Sequence, residues 1–236
     1  YYCGQYSFDP EIDRPVVEYE AAKYYANILM PLANPITRAL EKLTALDLPL
    51  TMVAPDHGPI WRRPGDIQYI IDAYARWTKQ SPTKKAVVVY DTMWNSTATM
   101  ARVVCEGLAA GGATARGMSM NSSHRSDVVT ELLEAGGFAV GSPTMNNNLF
   151  PTVADVMTYI RGLQPRNLAA AAFGSYGWSG EAPRQLHDML LEMEMNAVAE
   201  PLLVKYVPDE EALAACRQLG ESMAREMMKA VDGDTE

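Results

Sequence analysis

The chain has 236 residues, a net charge of −9, 48% hydrophobic side chains and 21% charged ones, the make-up of a soluble globular protein with a packed core. No apolar stretch approaches the roughly 18 residues of a membrane-spanning helix, no basic region leads into an apolar run at the N-terminus, and the acidity disfavours nucleic acid or anionic lipid as a partner, since both need a basic face. Cys3, Cys105 and Cys216 are odd in number and lack a C-x-x-C pair, which excludes a built-in rubredoxin-type or zinc-ribbon site. They suit a reducing cytoplasm, and buried, small apolar roles are expected for them.

The chain opens Tyr1-Tyr2-Cys3-Gly4 without an initiator Met, which reads as a cut, processed or partly represented polypeptide. Asp9, Glu11 and Asp13 form an acidic, Pro-bounded stretch expected to be exposed. A helix is predicted from about Val16 to Leu43, broken or kinked at Pro31 and Pro35, which lack an N–H and crowd the preceding turn. Leu48 to Ala54 reads as a buried strand running into the loop Pro55-Asp56-His57-Gly58-Pro59. Asp66 to Lys79 follows as an amphipathic helix, with Ile67, Ile70, Ile71, Tyr74 and Trp77 on one side. The polar run Gln80-Ser81-Pro82-Thr83-Lys84-Lys85 is the best linker candidate, dividing the chain into residues 1–80 and 81–236.

From Ala86 onward short apolar runs alternate with helical segments. Strands are predicted at Ala86–Tyr90, Thr114–Met120, Phe138–Gly141, Leu168–Phe173 and Leu202–Tyr206. Helices are predicted at about Thr97–Ala110, Arg125–Ala135, Thr152–Arg161, Ala182–Glu194 and Asp209–Ala230. Fully apolar strands such as Ala86-Val87-Val88-Val89-Tyr90 need cover on both faces, which the interleaved helices supply. The expectation is an α/β domain with a doubly wound, five-stranded parallel sheet. The tail Asp232-Gly233-Asp234-Thr235-Glu236 reads as a frayed terminus.

In such a sheet ligands lie beyond the C-terminal strand ends, so the loops after strands one, three and four matter most. The first, Asp91-Thr92-Met93-Trp94-Asn95-Ser96-Thr97, is rich in hydroxyls, has no basic residue and leads straight into a helix. Amides and hydroxyls at a helix N-terminus can cradle a phosphate without Lys or Arg; the plainer alternative is that Ser96 or Thr97 only caps the helix. Neither G-x-G-x-x-G nor G-x-x-x-x-G-K occurs, which disfavours dinucleotide and nucleoside-triphosphate sites. After strand three comes Gly141-Ser142-Pro143-Thr144-Met145-Asn146-Asn147-Asn148. After strand four comes Phe173-Gly174-Ser175-Tyr176-Gly177-Trp178-Ser179-Gly180-Glu181. Asparagines offer donors and acceptors to a polar heterocycle edge, and Trp94, Tyr176 and Trp178 offer flat faces to a planar ring. Together the loops describe a pocket for a phosphate, a polyol and a flat ring.

With those loops in hand, the segment from about Ala86 resembles a flavodoxin domain, and the spellings are similar to one branch, the flavodiiron proteins. The resemblance implies FMN as cofactor. Thr92, Asn95, Ser96 and Thr97 would hold its phosphate, with Met93 and Trp94 nearby. Ser142, Pro143, Thr144, Met145, Asn146 and Asn147 would form the loop along the ribityl chain and ring edge. Gly174, Ser175, Tyr176, Gly177, Trp178 and Gly180 would form the loop flanking the isoalloxazine.

Residues 1–80 resemble the C-terminal remnant of the metallo-β-lactamase-like αβ/βα domain that precedes the flavodoxin domain in this family. Ala54-Pro55-Asp56-His57-Gly58-Pro59-Ile60-Trp61-Arg62 is similar to the loop carrying the last iron-binding histidine, and Ala21 to Ile28 to a helix before it. His57 is therefore the one metal ligand the resemblance carries over; the family's H-x-E-x-D cluster is absent, so the di-iron site is incomplete in this chain. His124 and His187 are expected to be structural or solvated. The resemblance further implies an oxygen and/or nitric oxide reductase with a non-haem di-iron site, a rubredoxin-like or flavin-dependent electron donor, a complementary N-terminal segment, and a head-to-tail homodimer or tetramer. A stand-alone flavodoxin-type electron carrier is the alternative, and a metallohydrolase with a nucleotide-like regulatory domain is a more distant one.

Overall fold

A computed structural model describes residues 13–233 and divides the chain into two units, Tyr1–Gln80 and Ser81–Glu236. Cys3, Asp9, Glu11 and the last three residues of the tail lie outside the described residues.

In the first unit α1 (Arg14–Tyr24) begins with Pro15 in its first turn, where the missing N–H has no acceptor to lose. The predicted long helix is interrupted where expected. A π-helical turn (Tyr25–Leu29) and a 3-10 turn (Met30–Leu32) absorb Pro31 before α2 (Ala33–Ala45) resumes. Pro35 produces no break, because it falls in the first turn of α2, whose N–H groups have no intrahelical acceptor. The amphipathic helix forms as α3 (Pro64–Lys79) and stops at Gln80 in the left-handed conformation. Tyr25, Tyr74 and Trp77 make an aromatic cluster, with centroids 5.2 Å apart from Tyr25 to each of the others. Burial pushes the Tyr74 hydroxyl up to about 12. Arg14 pairs with Glu18 and Asp66 and lies 4.7 Å over the Tyr69 ring, tying α1 to α3.

The expected buried strand at Leu48–Ala54 is not found. Only Val53 pairs, in an antiparallel bridge to Trp61, while Leu48 and Met52 are exposed. A strand exists by pairing, and no second strand lies alongside this segment among the described residues.

The second unit is the α/β sheet that the sequence predicts. Its strands are β1 (Lys85–Tyr90), β2 (Thr114–Ser119), β3 (Gly137–Gly141), β4 (Ala169–Tyr176), β5 (Asn196–Ala197) and β6 (Leu202–Lys205). The order is β2-β1-β3-β4-β5, all parallel, with β6 also paired to β4. β5 pairs with Ala169 and Ala170, and β6 with Phe173 to Tyr176. The fifth position is thus one edge strand cut in two around Pro201, which has no N–H for the ladder. The two-residue β5 was not foreseen.

Alternating strand residues feed two cores. Ala86 and Val88 face a layer built from α4 (Ser96–Ala110) and α8 (Glu210–Gly233). Val87 and Val89 face one built from α5 (Arg125–Leu132), α6 (Pro151–Leu163) and α7 (Glu181–Glu192). Each fully buried Val or Leu contributes about 1.5–3 kcal/mol, which is why runs apolar on both faces form the centre of the sheet. α4 and α8 meet at Gly107 and Gly220; a Cβ at Gly220 would lie 2.3 Å from the Val104 carbonyl oxygen, so only hydrogen fits. Cys216 is buried and Cys105 partly so, and burial raises both thiols to about 11. α8 runs through Asp232 and Gly233, so the predicted fraying does not begin at Asp232.

Candidate functional site

The C-terminal ends of β1, β3 and β4 carry the three loops singled out in the sequence, and between them lies a cavity of about 340 Å³. Met93, Trp94 and Ser96 line it from the first loop, Pro143 and Thr144 from the second, and Ser175 to Trp178 from the third. Tyr206 and Val207, just beyond β6, complete the wall. No lining residue is charged.

The first loop is shaped by its start. Asp91 is buried, accepts from the Thr92 N–H at 2.7 Å and from Thr152 Oγ1 at 2.5 Å, and so ties the loop to the first turn of α6. Asn95 has φ 66° at the N-cap of α4, with no side-chain cap. Asparagine is one of the few L-residues that tolerates this conformation. Neither Ser96 nor Thr97 caps the helix. Thr97 is buried, its Oγ1 2.9 Å from Ser175 Oγ, and thereby joins the first loop to the third. Thr92 Oγ1 is shielded from solvent and meets no hydrogen-bond partner among the described residues.

The second and third loops are stitched by their backbones. Ser142 N–H donates to Phe173 O at 3.1 Å and Thr144 N–H to Ser175 O at 2.9 Å. A Cβ at Gly174 would lie 1.9 Å from Ser142 O, so glycine is required for this approach. Ser142 is buried, its Oγ accepting from Phe150 N–H at 2.9 Å and donating to Pro143 O at 2.9 Å. Thr144 Oγ1 accepts from Ala182 N–H at 3.2 Å at the start of α7. Met145 and Asn148 exchange both backbone hydrogen bonds at 3.0 Å, and Asn146 and Asn147 between them have φ of 51° and 59°. Two successive positive φ values are what a tight hairpin turn of this kind demands, so local geometry accounts for these asparagines as well. Gly180 caps the α7 N-terminus and accepts from Arg184 Nη1 at 2.9 Å.

Not every predicted residue reaches the cavity. Thr92, Asn95, Thr97, Ser142, Met145, Asn146, Asn147, Gly174 and Gly180 shape or brace the loops without lining it. Trp94 and Trp178 are 85% and 96% exposed beside it. Tyr206 and Val207 were missed, although the rule that ligands gather at C-terminal strand ends extends to the end of the fifth strand.

The histidines differ in setting. His57, in the first unit, is exposed and its ring centroid lies 5.2 Å from that of Tyr24. His124 Nδ1 accepts from Ser126 N–H at 3.2 Å and caps α5. Among the described residues no three His, Cys, Asp or Glu side chains gather as a metal site, and no helix is long and apolar enough to cross a membrane.

Comparison with known proteins places this geometry. Residues 88–220 match the family model described as Flavodoxin. A protein of Moorella thermoacetica named nitric oxide reductase is 43% identical over 92% of this chain and 54% of its own. The solved rubredoxin oxygen:oxidoreductase of Desulfovibrio gigas superposes with a TM-score of 0.93 and 35% identity, over 97% of this chain and 57% of that one. The flavodiiron protein of Giardia intestinalis gives 0.92 and 28%, over 98% and 57%. The chain spans about half the length of the curated relatives it matches. It belongs to the flavodoxin family, and along nearly its full length it is similar to members named flavodiiron protein, oxygen oxidoreductase and nitric oxide reductase.

Proposed function

We propose that the chain binds FMN in the cavity at the ends of β1, β3 and β4 and serves as the electron-transferring part of a flavodiiron oxidoreductase. The observation that carries this reading is the convergence of the three predicted loops on one uncharged cavity, with the partnerless Thr92 Oγ1 close in sequence to the N-terminus of α4. The residues fit the group. Its volume lies in the range of small-molecule sites, roughly 300–1,000 Å³. Thr92, Ser96 and the amides opening α4 would hold the phosphate, the helix end supplying the positive potential that no side chain supplies. Pro143 and Thr144 would border the ribityl chain and ring edge, on a loop that Asn146 and Asn147 turn. Tyr176, Gly177 and Trp178 would flank the ring.

Bound FMN supplies reversible one- and two-electron chemistry. The chain's own residues bind and orient it: the hydrogen bonds between Ser142 and Phe173, Thr144 and Ser175, and Thr97 and Ser175 fix the loops beforehand, so little ordering is left to binding. The exposed Trp94 and Trp178 leave one side of the site open to a second protein. We take that protein to be a rubredoxin-like or flavin-dependent donor, or a second protomer placed head to tail.

The wider activity proposed is reduction of oxygen to water and/or nitric oxide to nitrous oxide at a non-haem di-iron site, in the metallo-β-lactamase-like domain to which residues 1–80 would contribute His57. The described residues do not by themselves fit such a site, since His57 has no cluster of ligands about it. The reading is favoured over a stand-alone electron carrier because the likeness to the oxidoreductases runs through both units. Titration of the purified chain with FMN and with riboflavin tests it. FMN should bind one per chain, and riboflavin at least about tenfold more weakly, for loss of charge-assisted hydrogen bonds worth about 1.5–3 kcal/mol. A chain that takes up neither flavin overturns the reading.

A further inference from the structure

Tyr206 lines the cavity from a fourth strand end, beyond the three loops. Its φ is +62°, a conformation that bulky L-residues rarely adopt and that persists only where the surroundings enforce it. The enforcement is visible: Tyr206 N–H donates to Tyr176 O at 2.8 Å, fastening the strand end to the third loop. A Cβ added at Gly177, the next residue of that loop, would lie 3.6 Å from Tyr206 Cε1, so the ring is packed over the loop's backbone. Lys205 Nζ lies 5.2 Å from the ring centroid and braces it by a cation–π contact. Yet the residue is 62% exposed, so core packing does not explain why an aromatic is kept in a strained position that glycine would occupy without strain.

We propose that Tyr206 is a flavin-contact residue, a fourth wall of the cavity whose ring packs against the flat heterocycle, and that the strained backbone serves to aim it there. This rests on the FMN reading and deepens it. Strained backbone that lies at a cavity and is held by a hydrogen bond to the adjoining segment suits a residue positioned for binding. The contact is with the ring system and not with the phosphate, because β6 is separated from β1 by β3 and β4 in the sheet order.

The test compares Tyr206→Gly and Tyr206→Phe with the unaltered chain, reading dissociation constants for FMN and riboflavin and the thermal midpoint without flavin. Tyr206→Gly should weaken FMN and riboflavin by the same factor, about tenfold for one lost aromatic contact. Its flavin-free thermal midpoint should stay within a few degrees, relief of strain offsetting the lost contacts with Gly177 and Lys205. Tyr206→Phe should bind both within about twofold, as the ring carries the contact. Unchanged affinity in Tyr206→Gly, a loss confined to FMN, or a loss accompanied by a fall of about 10 °C or more in the midpoint would each overturn the proposal. Failure of the unaltered chain to bind either flavin overturns the FMN reading and this one with it; a normal unaltered chain with an indifferent Tyr206→Gly overturns this one alone.

Discussion

The two units treat apolar sequence in opposite ways. In the second unit every long apolar run is buried between two helical layers, and most of its exposed large hydrophobics, Met93, Trp94, Met145, Trp178, Tyr206 and Val207, lie at the strand-end loops. In the first unit exposed apolar residues are spread through the helical joint and the segment after α2, at Ile28, Leu32, Leu46, Leu48 and Met52. The difference teaches that an apolar pattern states a tendency to be covered. Whether the tendency becomes a strand depends on a neighbour: Ala86–Tyr90 has one on each side, and Leu48–Ala54 has only the Val53–Trp61 bridge.

This contrast can be broken most severely from within the second unit. Phe138→Ala removes a fully buried ring from β3 and should destabilise that unit by about 3–5 kcal/mol, read as a shift of its denaturant midpoint at unchanged slope. An effect under about 1 kcal/mol would mean that this core is loosely packed.

A finer separation comes from alkaline titration. The Cys216 thiol is raised from 9.0 to about 11 by burial. A raised folded-state value means that its contribution is fully present below pH 9 and is lost as pH rises toward about 11. Tyr74 in the first unit is raised from 10.0 to about 12, so its loss begins about one unit later. Unfolding followed from pH 8 to 12 should therefore show the second unit weakening first. Cys105 is raised alike, so Cys216→Ala should lessen that early fall and the double variant with Cys105→Ala should flatten it; an unaltered profile in the double variant would remove the thiols from the account.

The smallest effect is expected where the first unit exposes its apolar residues. Leu48 is 57% exposed, and Leu48→Ala should change stability by less than about 0.5 kcal/mol. A loss of 2 kcal/mol or more would show that the side chain is covered in the protein as purified.

Much of the second unit was legible in the sequence because its signals agree with one another. The β-branched run of β1, the alanines of β4 and the helices between them all point to a parallel sheet, and the three loops fall where that sheet places ligands. Residues whose roles depend on another segment were not legible. The break around Pro201 and the arrival of Tyr206 at the cavity are fixed by pairing with β4, and the partner of Thr97 is a serine 78 residues away. Asn146 and Asn147 suggest side-chain donors and acceptors in the sequence, whereas their positive φ values explain them locally. Leu48–Ala54 carries the composition of a strand without the neighbour that would make it one.

The close seam between α4 and α8 also constrains how this domain comes to exist during synthesis. One face of the sheet has only α4 for cover until residues as far as Met227 have left the ribosome, because Cys216, Leu219, Met223 and Met227 complete that layer. The helix α4 is translated early yet gains its backing from α8 only then. A nascent chain halted before α8 would present apolar sheet surface to chaperones, however complete its strand-end loops.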